Sequence, residues 1–173
     1  GGEFERYRAA VMSANGSGTH TFSGAFVVDS TDARVQANSS TIVISSNITE
    51  GPTVTPGTGV LTLDGDFAGF VDLTGDNTGI GTGGIRLIGG VQLNVSNHNQ
   101  LGGPTAPLKF EGGATLHPIG GFMTTFGTHP INATSFSGGI NVDAGQQFTI
   151  DQALGRPLDD ATDPVGSIGK RGT

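Results

Sequence analysis

Acidic side chains cluster in one short stretch of the 173-residue sequence and are the first candidates for chemistry. The segment LDGDF places Asp64 and Asp66 on either side of a glycine, and the stretch continues to the polar residues Asp72, Asp76 and Asn77. Oxygen ligands of this kind bind calcium, but the regular ligand spacing of an EF-hand loop is absent. Asp and Asn are also common in β-turns, because their side chains bond to the nearby backbone. We therefore expect turns here, with a calcium site as the alternative.

A second acidic group lies near the C-terminus, where the segment LDDATDPVG contains Asp159, Asp160 and Asp163. Paired carboxylates can hydrolyse glycosidic bonds. An enzyme of that kind also needs a groove lined by cations or further acids, and Arg156 is the nearest cation in sequence. The prediction is a solvent-exposed loop, and the alternative is a polysaccharide-cleaving site.

The histidines do not have the spacing of a metal site; they are His20, His98, His117 and His129. His98 and His117 come nearest to the spacing that would place two ligands on one face of a repeat, and they miss it. No serine lies in a Gly-x-Ser-x-Gly elbow, and the lack of cysteine excludes thiol nucleophiles and thiolate ligands. The sequence therefore predicts single surface or turn histidines, no catalytic residue and, apart from the calcium alternative, no cofactor.

Five Asn-x-Ser/Thr sequons occur in a chain that is rich in these residue types, at Asn15, Asn38, Asn47, Asn94 and Asn132. Glycan attachment at any of them requires an exported protein from a source that glycosylates asparagine. The sequons therefore carry no functional prediction by themselves.

The composition favours an ordered protein made of strands and turns. The chain has 31 glycines, 34% hydrophobic residues and 13% charged residues. Abundant Gly and β-branched residues disfavour helices, and periodic apolar runs with little charge argue against disorder. A net charge of −7 with eight Lys plus Arg argues against nucleic acid and anionic membrane surfaces as partners, since both need clustered cations. No apolar run is long enough for a transmembrane helix.

Short alternating runs identify the elements that would position any site. In the segment VQLNV, the side chains of Val91, Leu93 and Val95 point to one face and the polar residues to the other. Similar runs predict ten strands, at Thr21–Val28, Thr41–Ser45, Val60–Leu63, Phe70–Leu73, Ile85–Ile88, Val91–Val95, Leu108–Phe110, Ala114–Leu116, Ile140–Val142 and Gln147–Ile150.

The N-terminal segment differs from the rest. Glu3–Ala14 has apolar residues at helical spacing, so a short helix and a lead-in strand are both open there. The predicted domains are a lead-in or cap over residues 1–19 and a repeat domain over residues 20–173, as part of a longer protein.

Glycine pairs reveal an imperfect repeat. The segments LIGGVQLNV, KFEGGATLH and SFSGGINVD align with their second glycines at Gly90, Gly113 and Gly139. A period of about 20–25 residues with short strands predicts a right-handed parallel β-helix, or β-solenoid, of about seven coils. Val91, Leu93, Val95, Ile140 and Val142 are predicted to point inward. A β-sandwich is the alternative fold.

The segment Leu61–Leu116 resembles the autotransporter-associated β-strand repeat of bacterial passenger domains. The residues that carry the resemblance are Leu61-Thr62-Leu63, Gly75-Asp76-Asn77-Thr78, Gly83-Gly84, Gly90-Val91-Gln92-Leu93, Gln100-Leu101-Gly102 and the run Leu108–Gly113. The aromatic residue that usually follows Asn-Thr is missing. The resemblance implies a β-helical fold, export and a location outside the cell or on a bacterial surface.

Two classes of function follow. The first is a non-enzymatic structural or adhesive surface module, which the few aromatic residues and cations favour. The alternative is a carbohydrate-active β-helix, either a polysaccharide-cleaving enzyme or a glycan-binding protein. The expected partners are further repeats or other copies of the chain, through contacts made by Gly145–Thr173 and strengthened by salt, and also surface glycans or host proteins.

Overall fold

The chain forms a parallel β-solenoid with almost no helix. The computed structural model describes residues 11–131, 138–152 and 168–171. Besides a short 3₁₀ helix at His98–Leu101, these residues form the strands β1 (Val11–Asn15), β2 (Thr19–Phe22), β3 (Phe26–Val28), β4 (Ala33–Asn38), β5 (Thr41–Ile44), β6 (Ile48–Glu50), β7 (Leu61–Gly65), β8 (Phe70–Leu73), β9 (Ile85–Leu87), β10 (Gln92–Val95), β11 (Leu108–Phe110), β12 (Ala114–Pro118), β13 (Gly138–Asn141) and β14 (Ile168–Arg171).

The strands stack into three sheets whose described pairs are all parallel. Sheet A has the order β1-β4-β7-β9-β11, sheet B has the order β14-β13-β12-β10-β8-β5-β2, and sheet C contains β3 and β6. Five successive coils contribute one strand each to sheets A and B, and β13 and β14 extend sheet B alone. The expectation of about seven coils is therefore too high for the described residues. A β-sandwich is built from antiparallel strand pairs, whereas the described pairs here are parallel. The β-sandwich alternative is therefore wrong.

Alternate side chains of each strand fill the interior. Val91, Leu93, Val95 and Ile140 are buried, and Val142 is partly buried against the same core, which confirms the predicted inward set. Because the pairing is in register, each inward residue stacks on the inward residue of the next coil. This continuous apolar column is what stabilises strands that are only three to six residues long.

The glycine-pair repeat is in register for one step and slips at the next. The step from Gly90 to Gly113 agrees with the pairing of β10 with β12. Gly139, however, pairs with Thr115, which lies two residues beyond Gly113. A two-residue slip preserves the alternation of a strand, so Ile140 still faces the core.

The glycine pairs also make room for Phe67 at the corner between sheets A and B. A Cβ atom at Gly90 would lie 2.7 Å from the Phe67 ring, and one at Gly113 would lie 3.4 Å from it. Gly112, the first residue of its pair, has a φ of 67°, which a residue with a side chain rarely adopts. The repeated glycines therefore permit both the corner turn and the approach of an aromatic ring.

Some predicted elements differ from the structure. Val11–Asn15 is a strand of sheet A, so the helix is wrong there and the sheets begin upstream of the boundary predicted at residue 20. The run predicted as one strand over Thr21–Val28 is divided between β2 and β3, because the chain turns a corner between them. The predicted strand at Gln147–Ile150 is not a strand in the structure. Conversely, the sequence did not predict β4 and β6.

We call the path from each sheet B strand to the next sheet A strand the third side of the solenoid. In the part of the chain that the structure describes, only β3 and β6 form a sheet there, with one isolated bridge between Thr49 and Gly79 in the next coil. Its length varies: β2 and β4 are joined by residues 23–32, whereas β5 and β7 are joined by residues 45–60. The third side therefore needs contacts other than a continuous backbone ladder.

Candidate functional site

The acidic residues that the sequence offers as calcium ligands are not brought together. Asp64 lies on β7 of sheet A, 3.5 Å from an Arg34 nitrogen, whereas Asp72 lies on β8 of sheet B and accepts a hydrogen bond from Asn94 at 2.6 Å. Asp66 and Asp76 lie in two different turns. Over residues 11–131, 138–152 and 168–171, no group of three or more His, Asp or Glu side chains is arranged to hold a metal ion.

Asp66 and Asp76, the two carboxylates in turns, accept hydrogen bonds from nearby amides and hydroxyls. Asp66 accepts hydrogen bonds from the Ser39 amide at 2.9 Å, the Ser39 hydroxyl at 2.8 Å and the Ala68 amide at 3.0 Å. These donors hold the pKa of Asp66 below its ordinary value. Ser39 has a φ of 52°, so the carboxylate fixes a strained residue of the preceding coil. Asp76 likewise accepts from the amide and hydroxyl of Thr78, which lowers its pKa.

The largest group of polar side chains runs across the outer face of sheet B. Asp72 of β8 accepts from Asn94 of β10, and the Asn94 amide oxygen lies 3.1 Å from Nδ1 of His117 on β12. Nε2 of His117 lies 2.9 Å from an oxygen of Asp143, which follows β13. Gln92 joins this network, because its amide nitrogen donates to Asn94 at 2.8 Å and lies 3.2 Å from Nδ1 of His117. We call these five residues the sheet B network.

His117 has a partner at each ring nitrogen. In the neutral ring, Nε2–H donates to Asp143 and Nδ1 accepts from Gln92. In the charged ring, Nδ1–H donates to Asn94 instead. An imidazole held by a carboxylate can serve as a general base only if its other nitrogen is within reach of a substrate or nucleophile. Here that nitrogen faces two amide side chains, so the network has the geometry of a structural ladder between coils.

Side chains connect the coils along the third side. The Asn77 amide oxygen accepts from the Ile48 amide of the preceding coil at 3.0 Å, and its nitrogen donates to the Gln100 carbonyl of the following coil at 2.8 Å. Gln152 donates to the His129 carbonyl at 2.7 Å. Asn77 is fully buried, so these bonds satisfy backbone groups that would otherwise have no partner.

His129 makes a similar connection and brings together two histidines that the sequence did not pair. Its Nδ1 lies 3.0 Å from the Ala106 carbonyl oxygen, and its Nε2 lies 3.2 Å from the His98 carbonyl oxygen. The rings of His98 and His129 stack with their centroids 5.8 Å apart. Their separation in sequence is longer than the spacing of the repeat, so no periodic pattern signals the pair.

Sheet A carries paired charges on its outer face. Arg34 lies 3.6 Å from Asp32 as well as near Asp64. Arg86 donates to both oxygens of Glu111, at 3.0 and 2.7 Å, and this bond raises the pKa of Arg86. Arg34 and Arg86 are thus each balanced by a nearby carboxylate, so these two cations do not form the positive patch that a polyanion would bind.

Leu61, Leu63, Leu93 and Leu101 of the repeat motif are fully buried, and Gly102 is buried after the 3₁₀ helix. The side-chain nitrogens of Asn94 and Asn38 donate hydrogen bonds to Asp72 and Asn15. In both sequons, the atom that a glycan would modify is therefore already hydrogen-bonded. The second acidic group and its neighbours lie outside the described residues, at Arg156, Asp159, Asp160 and Asp163, as does the sequon at Asn132.

No protein-family model matches the chain, and no curated protein or solved structure matches it significantly. Among the residues that the structure describes, no helix has the length and apolar character needed to cross a membrane.

Proposed function

We propose that this chain is a non-enzymatic structural repeat module. The observation that carries the proposal is the partnering of His117: its two ring nitrogens are within hydrogen-bonding distance of Gln92 and Asn94 of β10 and of Asp143, which follows β13. The carboxylates of Asp66, Asp72 and Asp76 are likewise bound to donors of the protein. Polar groups that are satisfied by neighbouring coils stabilise the stack and are not available to a substrate.

We further propose that the module acts outside the cell or on a bacterial surface, where it extends, displays or adheres. The resemblance of Leu61–Leu116 to autotransporter passenger repeats supports this location. Stacked coils present regular faces built from successive strands, which suit a spacer or an adhesive surface. The partners in this proposal are other copies or further repeats of the polypeptide and surface glycans or host proteins.

A carbohydrate-active β-helix is the second candidate, because one face of sheet B collects the Asp72 and Asp143 carboxylates, His117 and two amide side chains. Sugars are bound by groups of this kind, and carboxylates can cleave them. Such a function would require the sheet B network to exchange its internal hydrogen bonds for bonds to a glycan.

One experiment separates the two candidates. The variants Asp143→Asn and His117→Phe are compared with the unaltered chain for thermal stability, for binding to a glycan array and for release of reducing ends from a panel of polysaccharides. We expect lower melting temperatures in both variants and no glycan signal in any of the three proteins. Glycan binding or cleavage that disappears in the variants would overturn the structural proposal.

A further inference from the structure

Among the residues that the structure describes, nothing pairs with the outer side of β2, at the N-terminal edge of sheet B. Within the described part of the chain, β2 pairs with β5 alone, and all four of its residues are exposed. The carbonyls of Gly18 and Phe22 accept from the amides of Thr41 and Ser45, at 2.8 and 2.9 Å. Backbone groups alternate in direction along a strand, so those of Thr19 and Thr21 point away from β5.

The apolar column is also open at this end. His20 and Phe22 pair with Ile42 and Ile44, which are fully buried, and so occupy inward positions. Phe22 nevertheless remains 37% exposed, because the described residues place no further coil above it. Apolar residues at an open strand edge favour the addition of another strand.

The opposite end of the sheet differs in charge. Lys170 of β14 pairs with Ile140, and Arg171 pairs with Asn141, so this edge strand carries two cationic residues. Charges at such positions oppose the addition of a strand. By contrast, the segments of β1 and β2, VMSAN and THTF, contain no Lys, Arg, Asp or Glu. The β2 edge therefore adds no charge of its own to the repulsion between copies that each carry a net charge of −7.

We propose that two copies of this chain pair through β2, in antiparallel orientation across a two-fold axis at His20. Thr19 of each copy then exchanges backbone hydrogen bonds with Thr21 of its partner copy. The same surface is used on both sides, so the assembly closes at a dimer. This inference rests on the proposed self-association and specifies its surface, at the opposite end from the predicted Gly145–Thr173.

The two-fold geometry can be tested by cross-linking, because the native sequence has no cysteine. In the proposed register the two His20 residues are directly opposed, with Cα atoms about 4.5 Å apart, a separation that a disulfide can span. Under mild oxidation, the variant His20→Cys should form a covalent dimer in high yield. The control Thr105→Cys places a thiol in an exposed turn and should remain monomeric on a denaturing gel.

Sedimentation of the full chain over a concentration series tests the edge itself. We expect a monomer–dimer equilibrium that strengthens with salt, as screening reduces the repulsion. Thr21→Pro removes an amide that points away from β5, and Thr21→Lys adds a charge; each should weaken the dimer at least tenfold. Thr105→Lys adds the same charge in an exposed turn and should leave the dimer unchanged. Circular dichroism checks that every variant keeps its strands.

Several results would overturn the inference: a monomer at all concentrations, a dimer that is unaffected by both Thr21 variants, or an open-ended series of oligomers. The series would instead indicate head-to-tail contacts through the C-terminal end. A dimer that forms only after deletion of residues 1–10 would show that this segment occupies the edge. None of these outcomes bears on glycan binding or cleavage, so the proposed function and this inference can fail separately.

Discussion

His98 and His129 stack on the third side of the solenoid with their ring planes 20° apart. The two rings differ in their partners. Both nitrogens of His129 face carbonyl oxygens, whereas Nδ1 of His98 is buried and has no hydrogen-bond partner among the described residues. Burial is the main cause that lowers the pKa of His98, the charge of His129 lowers it further, and Asp151 acts in the opposite direction. A proton on His98 is therefore unfavourable in the folded state.

We predict that the chain loses stability as the pH falls below the ordinary histidine value of 6.5. Because the folded pKa of His98 is lower than the unfolded one, its contribution is complete above pH 6.5 and declines as the pH falls towards the folded pKa. The melting temperature between pH 7 and pH 5 measures this. His98→Phe, which keeps a ring, should flatten the dependence, whereas the exposed His20→Gln should not. An equal slope in His98→Phe would contradict the assignment.

We predict that Asn77→Ala is strongly destabilising. It leaves the buried amide of Ile48 and the carbonyl of Gln100 without partners. Each unsatisfied group costs about 1–3 kcal/mol, so the free energy of unfolding should fall by about 2–6 kcal/mol. Asn99→Ala is the matched control, because Asn99 is exposed and its backbone carbonyl, which accepts from Asn77, is retained. Urea denaturation of both variants provides the comparison, and similar losses in the two would argue against the role of the Asn77 side chain.

We predict opposite outcomes for two Gly→Ala substitutions. A Cβ atom at Gly69 would lie 1.8 Å from the Ala37 carbonyl oxygen, and a backbone atom cannot move aside as a side chain can. Overpacking of this kind costs about 1–3 kcal/mol or more. At Gly24, no atom lies within 4 Å of the added Cβ, so Gly24→Ala should be neutral within about 0.5 kcal/mol. Chemical denaturation distinguishes them, and a tolerated Gly69→Ala would show that the corner is wider than described.

We predict that Asp66 contributes to stability above pH 4 and not in strong acid. Its pKa is held down by hydrogen bonds from the Ser39 amide, the Ser39 hydroxyl and then the Ala68 amide. The contribution is therefore complete above the ordinary value of 3.8 and disappears as the pH falls through the lower folded value. Asp66→Asn should lower the melting temperature at pH 6 and have little effect at pH 2. Ser39→Ala, which keeps the amide, should show a smaller loss with the same pH dependence.

The parts of the fold that depend on strict alternation could be predicted from sequence. Phe70–Leu73 and Leu108–Phe110 are strands with the predicted bounds, and the inward set of β10 is confirmed. β4 was missed because its inward residues, in ARVQAN, include two alanines that give little apolar contrast. The slip at Gly139 was missed because a glycine pair resembles the next one even when the pairing has moved by two residues.

The candidate site was harder to predict, because its residues meet through stacking. Asp72 and Asp143 belong to one network, although they lie on different coils and share no motif. Asp64 and Asp66 are close in sequence but have different partners. Asp64 accepts from Arg34 on sheet A, whereas Asp66 accepts from Ser39 in the corner between β4 and β5. Proximity along a solenoid chain therefore says less about a site than position within the coil does.

The uneven length of the third side has a consequence for how this protein can diverge. The corner between β4 and β5 has only Ser39 and Ser40, and one added residue there would turn the following inward side chains of sheet B outward. The third side, by contrast, already accommodates residues 45–60 in one coil and residues 23–32 in another. Doubling a flexible loop costs only about 0.6 kcal/mol in closure entropy. Insertions, deletions and grafted peptide epitopes should therefore be tolerated along this side, so it is the face of the solenoid at which length can vary.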